Sequence, residues 1–318
     1  MNNMSMVTEF ILMGFAGPWK LQILQDGIFL AIYVTALLGN GLIITIISLD
    51  PCLHTPMYFF IRNLSLFDIC LISAVVPKTI VNSLTHSNHI SFRGCVIQVF
   101  LVAFSAATEL LLLTVMCIDR YAAICHPLHY DIIMNRGTCV KMAFFSCLSG
   151  GLLSMIHTGL TFNLSYCEII EIQQFFCDIP QLLVISCSEH ITSEIVFIFI
   201  SSVLDFCCFI CIIISYAYIF STVRKIPSTE GKSKAYSTCI PHLVVIILFL
   251  STAISAYLKP ILASASFTDL ILSAFYIMLP PSLNPIIYGL RNKAMKVGLE
   301  KLITKFFSKE NVFIFLQM

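Results

Sequence analysis

Seven stretches of this 318-residue chain are each long and apolar enough to cross a bilayer, and no other feature restricts its fold as much. A spanning helix takes roughly 20 largely apolar residues, and in hydrocarbon a helix satisfies every backbone polar group internally. Gly27 to Leu49, Met142 to Tyr166, Ala235 to Leu258 and Leu270 to Leu290 hold no Asp, Glu, Lys or Arg. Three further stretches carry acids: about Met57 to Pro77 with Asp68, about Cys95 to Tyr121 with Glu109 and Asp119, and about Ile195 to Val223 with Asp205. The fold expected is an all-α membrane protein. A seven-transmembrane helix bundle occupies residues 24–290, between an N-terminal tail (1–23) and a C-terminal tail (291–318).

Composition agrees. The 58% apolar and 11% charged shares lie far from the roughly 25% charged residues of soluble domains, which excludes a single soluble core. A net charge of +1 without a basic stripe makes no case for nucleic acid. The basic residues instead set orientation, because they favour the cytoplasmic side of short loops. Arg120, Arg136, Lys141, Arg224, Lys225, Lys232, Lys234, Arg291, Lys293 and Lys296 fall on one side; Lys20, Lys78, Arg93 and Lys259 fall on the other. The expectation is a plasma-membrane protein with its N-terminus outside and its C-terminus in the cytoplasm. The first residues lack a cationic start before an apolar core, so the first span itself is expected to direct insertion, without cleavage. Asn3-Met4-Ser5 is a glycosylation sequon on the outer tail, whereas Asn63-Leu64-Ser65 and Asn163-Leu164-Ser165 lie in or against spans and read as chance matches.

Of 14 cysteines, Cys95, Cys167, Cys177 and Cys187 fall at the outer, oxidising face, and their residue positions alone leave three pairings open. The others lie in spans or near the inner face and read as packing residues; no Cys and His spacing suggests zinc. The longest connection, about Asn163 to Glu194, is a candidate lid. Beyond Tyr288, Met295, Leu299, Leu302, Ile303 and Phe306 recur at helical spacing while Lys293, Lys296, Lys301 and Lys305 take other faces. That pattern predicts a short amphipathic helix lying on membrane lipid, with a solvated tail as the plain alternative. No internal repeat of the transporter kind is visible.

Cys95 and Asp119-Arg120-Tyr121 stand near opposite ends of the third span, about 25 residues and so about 37 Å apart. One helix therefore touches both surfaces. With Asn40, Asp68 and Asn284-Pro285-Ile286-Ile287-Tyr288, this set resembles the rhodopsin-like G-protein-coupled receptors. Longer segments narrow the resemblance to the olfactory receptors, over about residues 8–306. These are Pro56-Met57-Tyr58-Phe59-Phe60 with Asp68-Ile69-Cys70; Met116 to Tyr130, which includes Asp119-Arg120-Tyr121; Ser215-Tyr216; Lys234 to Leu243; and Pro281 to Pro285 with Leu290-Arg291-Asn292-Lys293. The chain departs from that family's usual pattern at Gln174, where His commonly precedes Phe-Phe-Cys-Asp, at Leu250-Ser251 in place of Tyr-Gly, and at Cys147 in place of Trp. Leu250 lacks the hydroxyl that a carried-over ligand or switch role would need.

The sequon itself carries the expectation of glycosylation at Asn3, while the resemblance implies disulfides Cys95–Cys177 and Cys167–Cys187. It implies a sodium ion held by Asp68 and Glu109 near Asn284 and Asn40, with no other cofactor; a protonated, merely hydrogen-bonded acid is the alternative. Asp119 would hold Arg120 at rest, with Tyr121, Tyr216, Asn284, Pro285 and Tyr288 taking part in G-protein coupling and activation. A ligand pocket is implied between Val102, Ala103 and Ala106, Ser201, Ser202 and Asp205, and Ala253, Ile254 and Tyr257. Such a wall suits a small, mostly apolar odorant. Asp205 there either receives an amine or hydroxyl or is a protonated packing residue, and His157 reads as an interhelical donor. The implied partner is a stimulatory heterotrimeric G protein of the olfactory type that raises cyclic AMP. A seven-span transporter or channel would instead need a continuous polar path, and Asp68 with Glu109 does not make one. An intramembrane enzyme would need a nucleophile and base at a spacing the chain does not show.

Overall fold

The computed structural model describes residues 7–15, 17–166, 170–187, 191–257, 267–291, 294–302 and 304. Among them, seven helices are long and apolar enough to cross a membrane: α1 (Trp19–Leu49), α2 (Pro56–Thr85), α3 (Phe92–Cys125), α5 (Arg136–Phe162), α7 (Ile191–Lys225), α8 (Thr229–Tyr257) and α9 (Phe267–Arg291). Two short helices, α4 (Tyr130–Ile133) and α6 (Ile179–Ile185), lie in connections, and residues 294–302 form a terminal helix. The local reasons are legible. Ser91 caps α3 by accepting from the Gly94 N–H at 3.1 Å, and Asn135 caps α5 by accepting from the Thr138 N–H at 3.0 Å. Pro56 opens α2, where its missing N–H costs nothing, and α2 ends at His86, whose φ of 51° is the left-handed turn that stops a helix.

α3 is the central strut, packed against α2, α5, α7 and α8, while α1 lies on α2 and α9. It joins a disulfide face, at Cys95, to an Arg120 face. Small residues let the helices approach. A Cβ on Gly150 would meet the Thr108 side chain and stand 3.1 Å from its backbone N, which is why α5 can lie so close to α3. Apolar side chains on the outer surface, such as Leu38 and Phe199, are about 70% exposed, as a lipid-facing belt requires. The terminal helix docks back on α1. Met295 is buried, and Lys301 Nζ lies 2.9 Å from Asp50 Oδ2 in the loop after α1.

The N-terminal segment does more than a tail would. Strand β1 (Glu9–Leu12) is the middle of a three-stranded sheet, antiparallel to β2 (His89–Ser91) before α3 and parallel to β3 (Glu171–Ile172) in the long connection. Phe10, Leu12, Ile90 and Ile172 are all buried beneath it with Cys95 and Cys177. Strands of two to four residues are too short for an alternation to announce them; pairing across distant segments makes them.

Candidate functional site

Three polar levels are stacked along the bundle. At the Arg120 face, Asp119 is buried and holds Arg120 through two guanidinium contacts, one from Nε at 2.9 Å. Its other oxygen accepts from the Tyr130 hydroxyl at 2.8 Å. Burial and the Asp119 charge both push the Tyr130 phenol above its ordinary pKa. Tyr216 and Tyr288 are buried nearby; the Tyr216 hydroxyl meets His242 Nδ1 at 2.8 Å and the Cys239 carbonyl at 3.3 Å. Among the described residues, the Tyr288 hydroxyl and His242 Nε2 have no partner. Tyr121 turns aside, its hydroxyl 3.2 Å from His126 Nε2. Pro285 abuts Gly39, where α9 crosses α1. Tyr130 and His242 fall inside the motif segments, yet nothing in their spacing marks them as partners of Asp119 and Tyr216.

At mid-depth, Asp68 and Glu109 are fully buried. Asn284 Nδ2 lies 3.0 Å from each Asp68 oxygen, and Asn40 donates to the Pro281 carbonyl at 2.8 Å. Both Glu109 oxygens lack a partner among the described residues, as do Ser105 Oγ, Asn40 Oδ1 and Asn284 Oδ1. Two buried acids close enough to interact, with both Glu109 oxygens unfilled and no cationic partner among the described residues, fit a small hard cation. No group of three or more His, Cys, Asp or Glu suited to a metal occurs among the described residues.

Toward the disulfide face, Cys95 and Cys177 are joined. The connection is further pinned: the Cys177 N–H donates to Gln98 Oε1 at 2.8 Å, and Gln174 Nε2 donates to Ser273 Oγ on α9 at 2.9 Å. Cys187 is disulfide-bonded, while Cys167, like Asn3, lies outside the described residues. Beneath this lid, Val102 with Ala106 of α3 and Ala253 of α8 join an apolar cluster containing Phe175, Phe176 and Ile277; Ala103 is half-buried. On α7, Ser201 donates to the Phe197 carbonyl at 2.9 Å and its oxygen lies 3.0 Å from His157 Nε2, while His157 Nδ1 meets buried Glu194 at 2.7 Å. Glu194 reads in the sequence as one more loop acid, since only the fold carries α7 up to it. Ser202 is exposed and bonds its own helix at the Ile198 carbonyl, and Ile254 is 49% exposed, so neither is brought to the shared face. The Tyr257 side chain lies outside the described residues.

Residues 29–308 match the family described as olfactory receptor. The chain is 62% identical over 303 residues to olfactory receptor 14A16 of Homo sapiens, covering 95% of this chain and 98% of that protein. It is 51% identical over 314 residues to olfactory receptor 14A2 of Homo sapiens, covering 99% and 100%. It is also 44% identical over 301 residues to olfactory receptor 1G1 of Gorilla gorilla gorilla, covering 95% and 96%. With seven spanning helices beneath that likeness, the chain belongs to the olfactory receptor family and is a multi-pass membrane protein.

Proposed function

We propose that this receptor binds a small, mostly apolar odorant between α3, α7 and α8 toward the disulfide face, and answers at the Arg120 face by activating a stimulatory olfactory G protein that raises cyclic AMP. The disulfide face is then extracellular, with Asn3 glycosylated on the outer tail, and the terminal helix lies on cytoplasmic lipid. The observation that carries the reading is the closed Arg120 site. A guanidinium held by a buried carboxylate, itself shared with Tyr130, is a resting lock. Tyr216 and Tyr288, both buried, would receive Arg120 once it is released.

A ligand drives this change only by binding the released arrangement better than the locked one. The unfilled oxygens around Asp68 and Glu109 support a sodium ion at mid-depth in the resting bundle. Asp68, Glu109 and Asn284 would hold it, and the ion would offset the charge of one of the two buried carboxylates. Pro285, one residue beyond Asn284, leaves backbone groups in α9 free to rearrange. Cyclic AMP measured with and without a co-expressed olfactory G protein tests the coupling. Asp119→Asn should raise ligand-free cyclic AMP, and an unchanged level at equal surface expression would remove the lock from the account.

A further inference from the structure

The inner face of α7 carries a charge imbalance. At 100° per residue, Glu194, Ser201, Asp205 and Ile212 point within about 20° of one direction. Glu194 and Ile212 are buried, so that direction is inward. Asp205 is nevertheless exposed, and between Glu194 and Ile212 no α7 residue is buried. An inward carboxylate that remains accessible has room to take a partner, whereas an acid turned to lipid would be heavily penalised.

The nearest basic group is already committed. The Ser201 hydroxyl donates its single proton to the Phe197 carbonyl at 2.9 Å, so it must accept from His157 Nε2. His157 Nδ1 faces the Glu194 carboxylate, an arrangement satisfied when both ring nitrogens carry protons. His157 and Glu194 then cancel. Asp205, on the same helix face, has no hydrogen-bond or ion-pair partner among the described residues. Glu194 Oε2, fully buried on the same face, also lacks a donor. The junction holds an unpaired carboxyl group and more acceptors than donors.

We propose that the ligand taken here is a small apolar amine, its ammonium held by the Asp205 carboxylate with the Ser201 oxygen alongside. A neutral hydroxyl could fill one acceptor but could not form the charge-assisted pair that an ammonium makes with a carboxylate. This rests on the odorant-receptor reading above and names its ligand class.

The test uses the full-length receptor with an olfactory G protein and straight-chain probes from butyl to octyl, each as amine, alcohol, aldehyde and carboxylic acid. Cyclic AMP should rise with an amine and less or not at all with its matched alcohol, aldehyde and acid. Asp205→Asn should weaken the amine by roughly 10-fold or more, the loss of one charge-assisted hydrogen bond, while Asp205→Glu retains part of it. Equal potency of alcohol and amine, or an amine response untouched by Asp205→Asn, overturns the proposal. So does silence of every amine when surface expression and an Arg120-dependent basal signal are both present, and in that case the coupling reading survives. Loss of the Arg120-dependent signal itself would instead strike the receptor reading.

Discussion

Two glycines in α1, two positions apart, should respond to the same substitution with opposite signs. A Cβ on Gly39 would stand 2.8 Å from Pro285 Cβ and 3.0 Å from Pro285 Cγ, whereas one on Gly41 would have nothing within 4 Å. Alanine in place of glycine inside a helix gains up to about 1 kcal/mol from backbone entropy alone, and that gain is common to both sites. At Gly39 it is opposed by overlap with a ring that cannot rotate away. α1 and α9 would have to part by about half an ångström, and overpacking of this kind costs about 1–3 kcal/mol. Gly41→Ala should therefore stabilise the solubilised receptor slightly, and Gly39→Ala should destabilise it by about 1–2 kcal/mol net. The assay is thermal unfolding followed with a thiol-reactive dye, since Cys117, Cys139 and Cys239 are free and buried and become reactive on unfolding. A shift of both variants in the same direction would refute the close α1–α9 approach at Pro285.

Other outcomes follow from the same geometry. Cys95→Ala or Cys177→Ala opens a bridge closing a separation of 82 residues, for which chain entropy gives up to about 4 kcal/mol, less in a chain whose helices the membrane already holds; surface expression should fall sharply. Replacing external and internal sodium with a bulky organic cation should raise basal cyclic AMP in the native receptor and leave Asp68→Asn unmoved; equal responses would remove the ion from the mid-depth site. Lys301 lowers the pKa of Asp50 by hydrogen bonding, and Asp50 raises that of Lys301 in turn. The contribution of Asp50 is present above the ordinary carboxylate range and lost as pH falls through its lowered pKa. That of Lys301 is lost only as pH rises through its raised pKa. A spin-label distance from the terminal helix to α1 should thus hold constant around neutral pH and lengthen in Lys301→Glu, where two like charges meet.

The spans were legible because hydrocarbon imposes one rule on every backbone group, and the rule is written in composition. Asp68, Asn284, Asp119 and Arg120 were found because their types are costly at that depth or belong to long motifs. Contacts between segments far apart were not visible. Glu194 reads as one loop acid among several until α7 extends to carry it against His157. β1 reads as tail until β2 and β3 arrive on either side. Ser202 and Ile254 stood with Ser201 and Ala253 because adjacent residues look alike in a sequence, although a helix turns each by about 100° from the next.

The central claim is that Arg120 passes ligand binding to a G protein. It is tested most directly by cyclic AMP in cells expressing the intact receptor with an olfactory G protein, beside Arg120→Ala at matched surface level. The account predicts an odorant-dependent rise in the native receptor that the substitution abolishes without reducing the receptor at the surface. An undiminished response in Arg120→Ala would contradict it.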